Sequence, residues 1–173
     1  QQLQAISITD HEFLSEVENT NLIEIIPGVE MSVGWYDLEL ENPFAGIHLL
    51  IYFLKKDTPI YELLSKIRIE KKNRNYEILE KLKKVGVEIE RKELDDLETK
   101  VPGRPHIANL MKSKGYVTSL NEAFKEYLGN GKVGDSRIHQ NPIEEVIDCA
   151  KESKCLVFLA HPHTLMSNKD YSF

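Results

Sequence analysis

Short apolar runs alternate with longer stretches of helical spacing along this chain, and that alternation limits the fold more than any other feature. Four runs are typical of buried strands, at residues 5–8, 23–26, 47–54 and 155–160. Thr58 followed by Pro59 is typical of a helix start, and Gly86 closes the helical spacing that follows. Strands that alternate with helices predict an α/β fold with a largely parallel sheet.

The middle of the chain, residues 58–128, is predicted to be mostly helical. Large aliphatic residues recur there at helical spacing, while residues 70–75 are very polar, so the pattern fits either two helices or one long solvated helix. Ser119 with Glu122 matches a capping box that opens a further helix. Because this stretch is too long for a simple crossover between strands, we expect an inserted helical subdomain.

Size and charge argue against several classes of protein. The 173 residues, 41% of them hydrophobic, make one domain the simplest expectation. With 22 basic and 28 acidic residues, the net charge of −6 argues against broad electrostatic binding to a nucleic-acid duplex. The longest apolar runs fall far short of the roughly 20 residues of a membrane helix. Two cysteines form no disulfide framework, which favours a reduced, cytoplasmic protein.

Residues able to bind metal stand at or near the ends of three apolar runs: Asp10 with His11, then Glu30, then His161. His48, near the start of another run, is a further candidate. Imidazole nitrogens and carboxylate oxygens are common ligands of Zn, Mn and Fe(II), and paired ions of this kind activate water for phosphoryl transfer. By spacing alone, each histidine taken singly fits a hydrogen-bonded core residue better.

Five short sequence strings favour metal binding over the core interpretation, because they occur together and in order. They are Ile8 to His11, Pro27 to Ser32, His48 to Leu50, Gly103 to Ala108, and Ala160 to Pro162. Together they resemble the PHP (polymerase and histidinol phosphatase) family, most closely its stand-alone metal-dependent phosphoesterase branch. Members of that branch share the Gly-Arg-Pro-His-Ile-Ala string and the segment that follows it, here Lys114 to Val117.

The resemblance implies a distorted (β/α)7 barrel that holds two or three divalent ions of Mn, Zn or Fe. Residues 1–57 and 129–173 would form the barrel, and residues 58–128 the inserted helical subdomain. The family opens with a His-x-His pair and closes with an Asp-x-His pair, and neither stands in the matching place here. We therefore expect this sequence to be part of a PHP domain.

The resemblance also implies roles for individual residues. The implied metal ligands are His11, Glu30, His48 and His161. His11, Glu30 and His161 would also be catalytic, with Glu30 bridging the ions, and Asp10 would support His11. Arg104 and His106 would bind the substrate phosphate from the helical subdomain.

The implied activity is hydrolysis of phosphomonoesters or terminal phosphodiesters by a metal-activated water. The expected substrates are nucleotides or short single-stranded oligonucleotides, not duplexes or membranes. Trp35, Tyr36 and Phe44 would either stack a nucleobase or pack in the core. Two alternatives stay open: a histidinol-phosphate phosphatase, and a degenerate PHP domain that binds nucleotide or metal without catalysis. The sequence leaves open the metal, the choice between phosphatase and exonuclease, and the oligomeric state.

Overall fold

The computed structural model describes residues 3–19, 22–34, 47–136 and 141–163. The strands are β1 (Ala5–Ile6), β2 (Glu24–Ile25), β3 (Gly28–Val33), β4 (Ile47–Tyr52) and β5 (Leu156–Leu159). The α-helices are α1 (Pro59–Lys83), α2 (Arg91–Asp95), α3 (Arg104–Ser113), α4 (Leu120–Ala123) and α5 (Ile143–Glu152), and a π-helix spans Phe124–Leu128. The mixed α/β class predicted from the alternating pattern is confirmed.

The chain divides into two compact units. The first, which we call the strand unit, comprises Gln1–Lys66 and His139–Phe173, and the second, the helical unit, comprises Ile67–Ile138. Helix α1 begins in the strand unit and ends in the helical unit. The five strands and α5 belong to the strand unit, while α2, α3, α4 and the π-helix belong to the helical unit.

The sheet of the strand unit has one buried apolar face, and its other face carries the candidate ligands beside apolar side chains such as Leu50 and Phe158. Strands β3, β4 and β5 form a three-stranded sheet in that order, and β1 pairs with β2. Val29, Met31 and Val33 alternate along β3 and are fully buried. Because successive side chains of a strand point to opposite faces, Glu30 lies on the other face of β3. His48 shares that face, since it stands directly opposite Ser32 in the β3–β4 register.

The prediction of a largely parallel sheet is wrong for the described residues. Strand β4 runs antiparallel to both β3 and β5. The parallel pairings among the described residues are the two-residue β1–β2 ladder and two isolated bridges, His11–Glu30 and Gly34–Pro142. Strand alternation with helices does not fix direction here, because β3 and β4 follow each other in the chain without an intervening described helix. Antiparallel pairing has a useful consequence: the start of β4, with His48, lies beside the second half of β3. The full seven-stranded barrel stays a prediction.

Helix α1 is a single helix of 25 residues, which decides between the two alternatives left by the polar stretch in its middle. Pro59 is its first residue, and the Thr58 carbonyl accepts hydrogen bonds from the first turn. Its apolar residues are buried in both units, for example Ile60 in the first and Leu82 in the second. Although α1 is long, no helix among the described residues is apolar enough to cross a bilayer.

The core of the helical unit forms where α3 packs against the end of α1 and against the π-helix. Ile107, Ala108 and Met111 from α3 are fully buried in this core. Leu128 closes the π-helix, which ends sharply at Gly129. The Gly129 N–H donates to the carbonyl of the first π-helix residue at 2.8 Å, and a Cβ on Gly129 would lie only 2.5 Å from that oxygen. Glycine therefore fits this position where larger residues do not.

The predicted helix start at Ser119 is confirmed, with one difference in the contacts. The Ser119 hydroxyl accepts a hydrogen bond from the Glu122 N–H at 3.1 Å. The Glu122 carboxylate reaches back to the N–H of Thr118, at 2.7 Å, instead of that of Ser119. The reciprocal bond is thus shifted by one residue. The Thr118 hydroxyl also donates to this carboxylate, at 2.6 Å, and this bond together with the N–H bond holds the pKa of Glu122 below its ordinary value.

Candidate metal centre

Backbone pairing brings three separate segments of the strand unit to one place. The loop after β1 is held against β3, because the Glu30 N–H donates to the Asp10 carbonyl at 3.1 Å and the Glu12 N–H donates to the Glu30 carbonyl at 2.9 Å. His11 therefore stands next to Glu30. The segment after β5 is held in the same way, since the Ala160 N–H donates to the His48 carbonyl at 2.9 Å.

Three ligand-type atoms converge at this place and form a small triangle. Glu30 Oε1 lies 2.8 Å from His48 Nδ1 and 3.0 Å from His161 Nε2, and the two ring nitrogens are 3.0 Å apart. His11 completes the group, with its ring edge-to-face against that of His48 at 5.1 Å. Ligand atoms of His11, Glu30 and His48 all lie within 4.8 Å of one another. The four predicted metal ligands are thus brought together.

The triangle has the dimensions and chemistry of a cation site. Zinc bonds to imidazole nitrogen and carboxylate oxygen are about 2.0–2.2 Å long, so two ligands at a right angle lie about 3.0 Å apart and two at the tetrahedral angle about 3.4 Å apart. The observed separations of 2.8–3.0 Å match ligands at a right angle. Unprotonated imidazole nitrogens and a carboxylate are all electron-pair donors, and a cation between them satisfies all three at once. These residues therefore fit a divalent ion of the Mn, Fe or Zn type.

The electrostatics keep Glu30 ionised. Burial raises the pKa of this carboxyl. Hydrogen bonds from His48 and His161 and the nearby ring of His11 together lower the pKa by more than burial raises it, so the pKa of Glu30 lies below its ordinary value. The Glu30 side chain is 16% exposed and that of His161 34% exposed. The centre is consequently partly exposed to solvent.

The two acidic residues that flank His11 differ in exposure and in their hydrogen-bond partners. Asp10 is exposed; its carboxylate accepts a hydrogen bond from the Ser15 hydroxyl, and its contact with the centre is the backbone bond to Glu30. Glu12 is only 1% exposed, adopts a positive φ of 47°, and accepts the Ser32 N–H at 3.0 Å through its carboxylate. Sequence reasoning missed Glu12, because a charged residue in a loop is ordinarily solvated. Its position in the chain next to a candidate ligand was the one sequence signal, and it does not reveal burial.

The two predicted phosphate-binding residues lie in the helical unit. Arg104 is the first residue of α3, and its Nη1 donates to the Leu128 carbonyl at 3.3 Å. His106 lies in the first turn, where its Nδ1 accepts the Gly103 N–H at 3.0 Å. Helix α3 begins within the Gly103 to Ala108 string. Trp35, Tyr36 and Phe44 lie outside the described residues.

Comparisons with known proteins give a consistent picture. No family model matches the chain. A 5′-3′ exoribonuclease of Haemophilus influenzae is 26% identical over 169 residues, which cover 94% of this chain and 59% of that protein. The 5′-3′ exoribonuclease Rnm of Escherichia coli is 28% identical over 174 residues, which cover 91% of this chain and 55% of that protein. The chain therefore spans a little over half the length of these relatives.

Two solved structures share the architecture. One is a proposed metal-dependent phosphoesterase from Bifidobacterium adolescentis, with a TM-score of 0.68 and 18% identity over 91% of this chain and 56% of that one. The fold is similar to that of a metal-dependent phosphoesterase. The other is an amidohydrolase from Chromobacterium violaceum that holds sulfate and no metal, with a TM-score of 0.67 and 20% identity over 92% of this chain and 57% of that one.

Proposed function

We propose that this chain is part of a metal-dependent phosphoesterase of the PHP type, and that it hydrolyses phosphate esters of nucleotides or short single-stranded RNA. The observation that carries the proposal is the triangle of Glu30, His48 and His161, which fits a divalent cation. The names of the two exoribonuclease relatives support RNA or its nucleotides as the substrate class. The net charge of −6 favours small or single-stranded substrates over duplexes.

In this proposal the ligands of the cation are His11, Glu30, His48 and His161. A bound divalent ion would supply Lewis acidity that activates water and offsets the negative charge of the phosphoryl oxygens. A glutamate carboxylate is ionised near neutral pH, so Glu30 is able to bind that ion. We further propose two or three ions of Mn, Zn or Fe, and a cytoplasmic enzyme.

Substrate binding is assigned to Arg104 and His106. A guanidinium presents several N–H donors in a planar fork that matches the oxygens of a phosphate. In His106 the Nδ1 already accepts the Gly103 N–H, so the hydrogen of the neutral ring resides on Nε2. His106 therefore offers one N–H donor to a phosphate oxygen without needing a net charge.

The architecture proposed around the site is the PHP-type barrel. Residues 1–57 and 129–173 would contribute to the barrel, residues 58–128 would form an insertion, and segments of the full-length protein would supply the His-x-His and Asp-x-His pairs. The length of the relatives supports this, because the matched region covers 55% and 59% of them.

The test is hydrolysis by the full-length protein, with Mn²⁺, of a 5′-phosphorylated single-stranded RNA oligonucleotide, AMP and histidinol phosphate side by side. We expect release of mononucleotides or of phosphate from the first two. Glu30→Gln should lower the rate on the order of 100-fold or more, because the cation would lose a charged ligand that holds it in place. Glu24→Gln is the matched control: this carboxylate is exposed on β2 and should leave the rate unchanged.

The alternatives give different results in the same assay. Preferential turnover of histidinol phosphate would identify the histidinol-phosphate phosphatase. Binding of Mn²⁺ without turnover of any substrate would identify the degenerate domain. Equal rates for Glu30→Gln and the wild type would contradict the site itself.

A further inference from the structure

The peptide group that joins Pro102 to Gly103 is held from both sides within the helical unit. Its carbonyl oxygen accepts a hydrogen bond from Asn75 Nδ2 at 2.7 Å. Its N–H donates to His106 Nδ1 at 3.0 Å. A planar peptide group with both polar ends bonded has one fixed orientation. The next residue, Arg104, is tied to the Leu128 carbonyl at 3.3 Å.

Asn75 is an unusual residue for its place in helix α1. The surrounding stretch is strongly polar and is predicted to face solvent, yet Asn75 is only 2% exposed. Burying an amide costs free energy unless its polar atoms are bonded. Both ends of the Asn75 amide are used, since Oδ1 accepts Arg74 Nη2 at 2.9 Å while Nδ2 donates to Pro102. Asparagine is also a poor helix former, so helix propensity does not account for it.

The contact of Asn75 reaches His106 through the shared peptide group. A backbone N–H can only donate, so the Gly103 N–H requires an unprotonated Nδ1 on His106. The orientation of that N–H is set by the carbonyl on the same peptide plane, which Asn75 holds. Asn75 and His106 are thus joined through the two ends of one peptide plane.

We propose that Asn75 is a positioning residue, which fixes the Pro102–Gly103 peptide so that Arg104 and the Nε2–H of His106 are presented together to a substrate phosphate. This inference rests on the proposed function for its substrate. It assigns a role in substrate binding to a buried helix residue whose side-chain amide makes its two bonds within the helical unit. Without the Asn75 bond the peptide rotates more freely, and the two phosphate donors lose their fixed spacing.

The first experiment compares Asn75→Asp with Asn73→Asp in the full-length protein. Both changes replace one amide nitrogen by oxygen and add one charge on the same helix, but Asn73 is exposed. Asn75→Asp removes the donor to Pro102 and sets an oxygen against its carbonyl. With a 5′-phosphorylated RNA oligonucleotide we expect KM to rise about tenfold, from loss of one oriented contact to a charged group, while kcat changes less than about threefold. Asn73→Asp should change neither.

The second experiment reads the His106 ring directly and needs no substrate. Long-range ¹H–¹⁵N correlation spectra of the wild type should show His106 with a bare Nδ1 and a protonated Nε2. Asn75→Asp should give a mixture of the two tautomers and should shift the Gly103 amide signal, and Asn73→Asp should do neither. Asn75→Ser, which adds no charge, repeats both measurements where Asn75→Asp does not fold.

Wild-type KM together with an unchanged His106 tautomer in the Asn75 variants would overturn the proposal. A rise in KM with unchanged NMR signals would also overturn it, because the effect would not pass through His106. Absence of turnover by the wild-type protein would contradict the proposed function. In that event the tautomer still decides whether Asn75 holds this peptide group.

Discussion

Replacing Gly129 by alanine should disrupt the end of the π-helix and, through it, the hydrogen bond that holds Arg104 to the Leu128 carbonyl. The added Cβ would lie 2.5 Å from the Phe124 carbonyl oxygen, which is the acceptor of the Gly129 N–H at 2.8 Å. A carbon and an oxygen cannot approach so closely, and the obstacle is backbone and not a flexible side chain. The chain must move away, which lengthens or breaks the hydrogen bond and displaces the neighbouring Leu128 carbonyl that Arg104 binds.

The magnitude follows from two contributions. Overpacking in a well-packed region costs about 1–3 kcal/mol. Loss of one backbone hydrogen bond adds about 0.5–1.5 kcal/mol. Gly129→Ala should therefore lower the free energy of unfolding by about 1.5–4.5 kcal/mol. It should also raise KM for a phosphorylated substrate, because the guanidinium of Arg104 loses its anchor.

A second glycine separates steric overlap from backbone strain. Gly86 has a φ of +84°, and a Cβ added there meets nothing within 4 Å. Gly86→Ala should cost only the strain of a left-handed residue, about 1–2 kcal/mol, and should leave KM unchanged. Urea unfolding followed by circular dichroism measures both variants. A loss for Gly129→Ala no larger than that for Gly86→Ala would refute the reasoning.

Three further predictions concern stability. Met111→Ala empties a fully buried position in the helical core and should cost about 2–5 kcal/mol in urea unfolding, and a cost below 1 kcal/mol would contradict that packing. Ser7→Ala removes a buried hydroxyl that has no hydrogen-bond partner among the described residues, so thermal melting should show a gain of up to about 1 kcal/mol and not a loss. Glu93→Gln should destabilise the protein at neutral pH, because hydrogen bonds from Lys114 and from the Glu90 N–H hold the pKa of Glu93 below its ordinary 4.5. The difference from the wild type should close as the pH falls from 4.5 through the lower folded-state pKa, and a difference that does not depend on pH would exclude this cause.

Much of the local structure could be predicted from the sequence because it is encoded locally. The apolar run of β4, the Thr58–Pro59 helix start and the Ser119 cap are signals within a few residues, and each element is found close to its predicted place. Strand β3 was not predicted, because Pro27 and Gly28 are typical of a turn that ends a strand. Strand direction is not encoded locally. The antiparallel order of β3, β4 and β5 depends on which strands meet in three dimensions, and the alternating pattern is the same for either direction.

The residues of the candidate site likewise fall into those that the sequence could identify and those that only the structure reveals. His11, Glu30, His48 and His161 were found from short strings whose order resembles a known family, and their proximity required the fold. Glu12 and Asn75 carry no such string. Both are polar residues in polar surroundings, and only the structure reveals that they are buried and bonded. Burial is a property of the tertiary structure, so single-residue patterns missed it.

The central claim is that the Glu30 triangle binds a divalent cation, and isothermal titration of the metal-stripped full-length protein with Mn²⁺ tests it most directly. The wild type should bind at least one ion, and the matched control Glu24→Gln should bind with the same affinity. Glu30→Gln should weaken binding by more than about 100-fold, since even residues that only support a ligand are worth 10- to 100-fold. Equal affinities for Glu30→Gln and Glu24→Gln, or no binding by the wild type, would contradict the account.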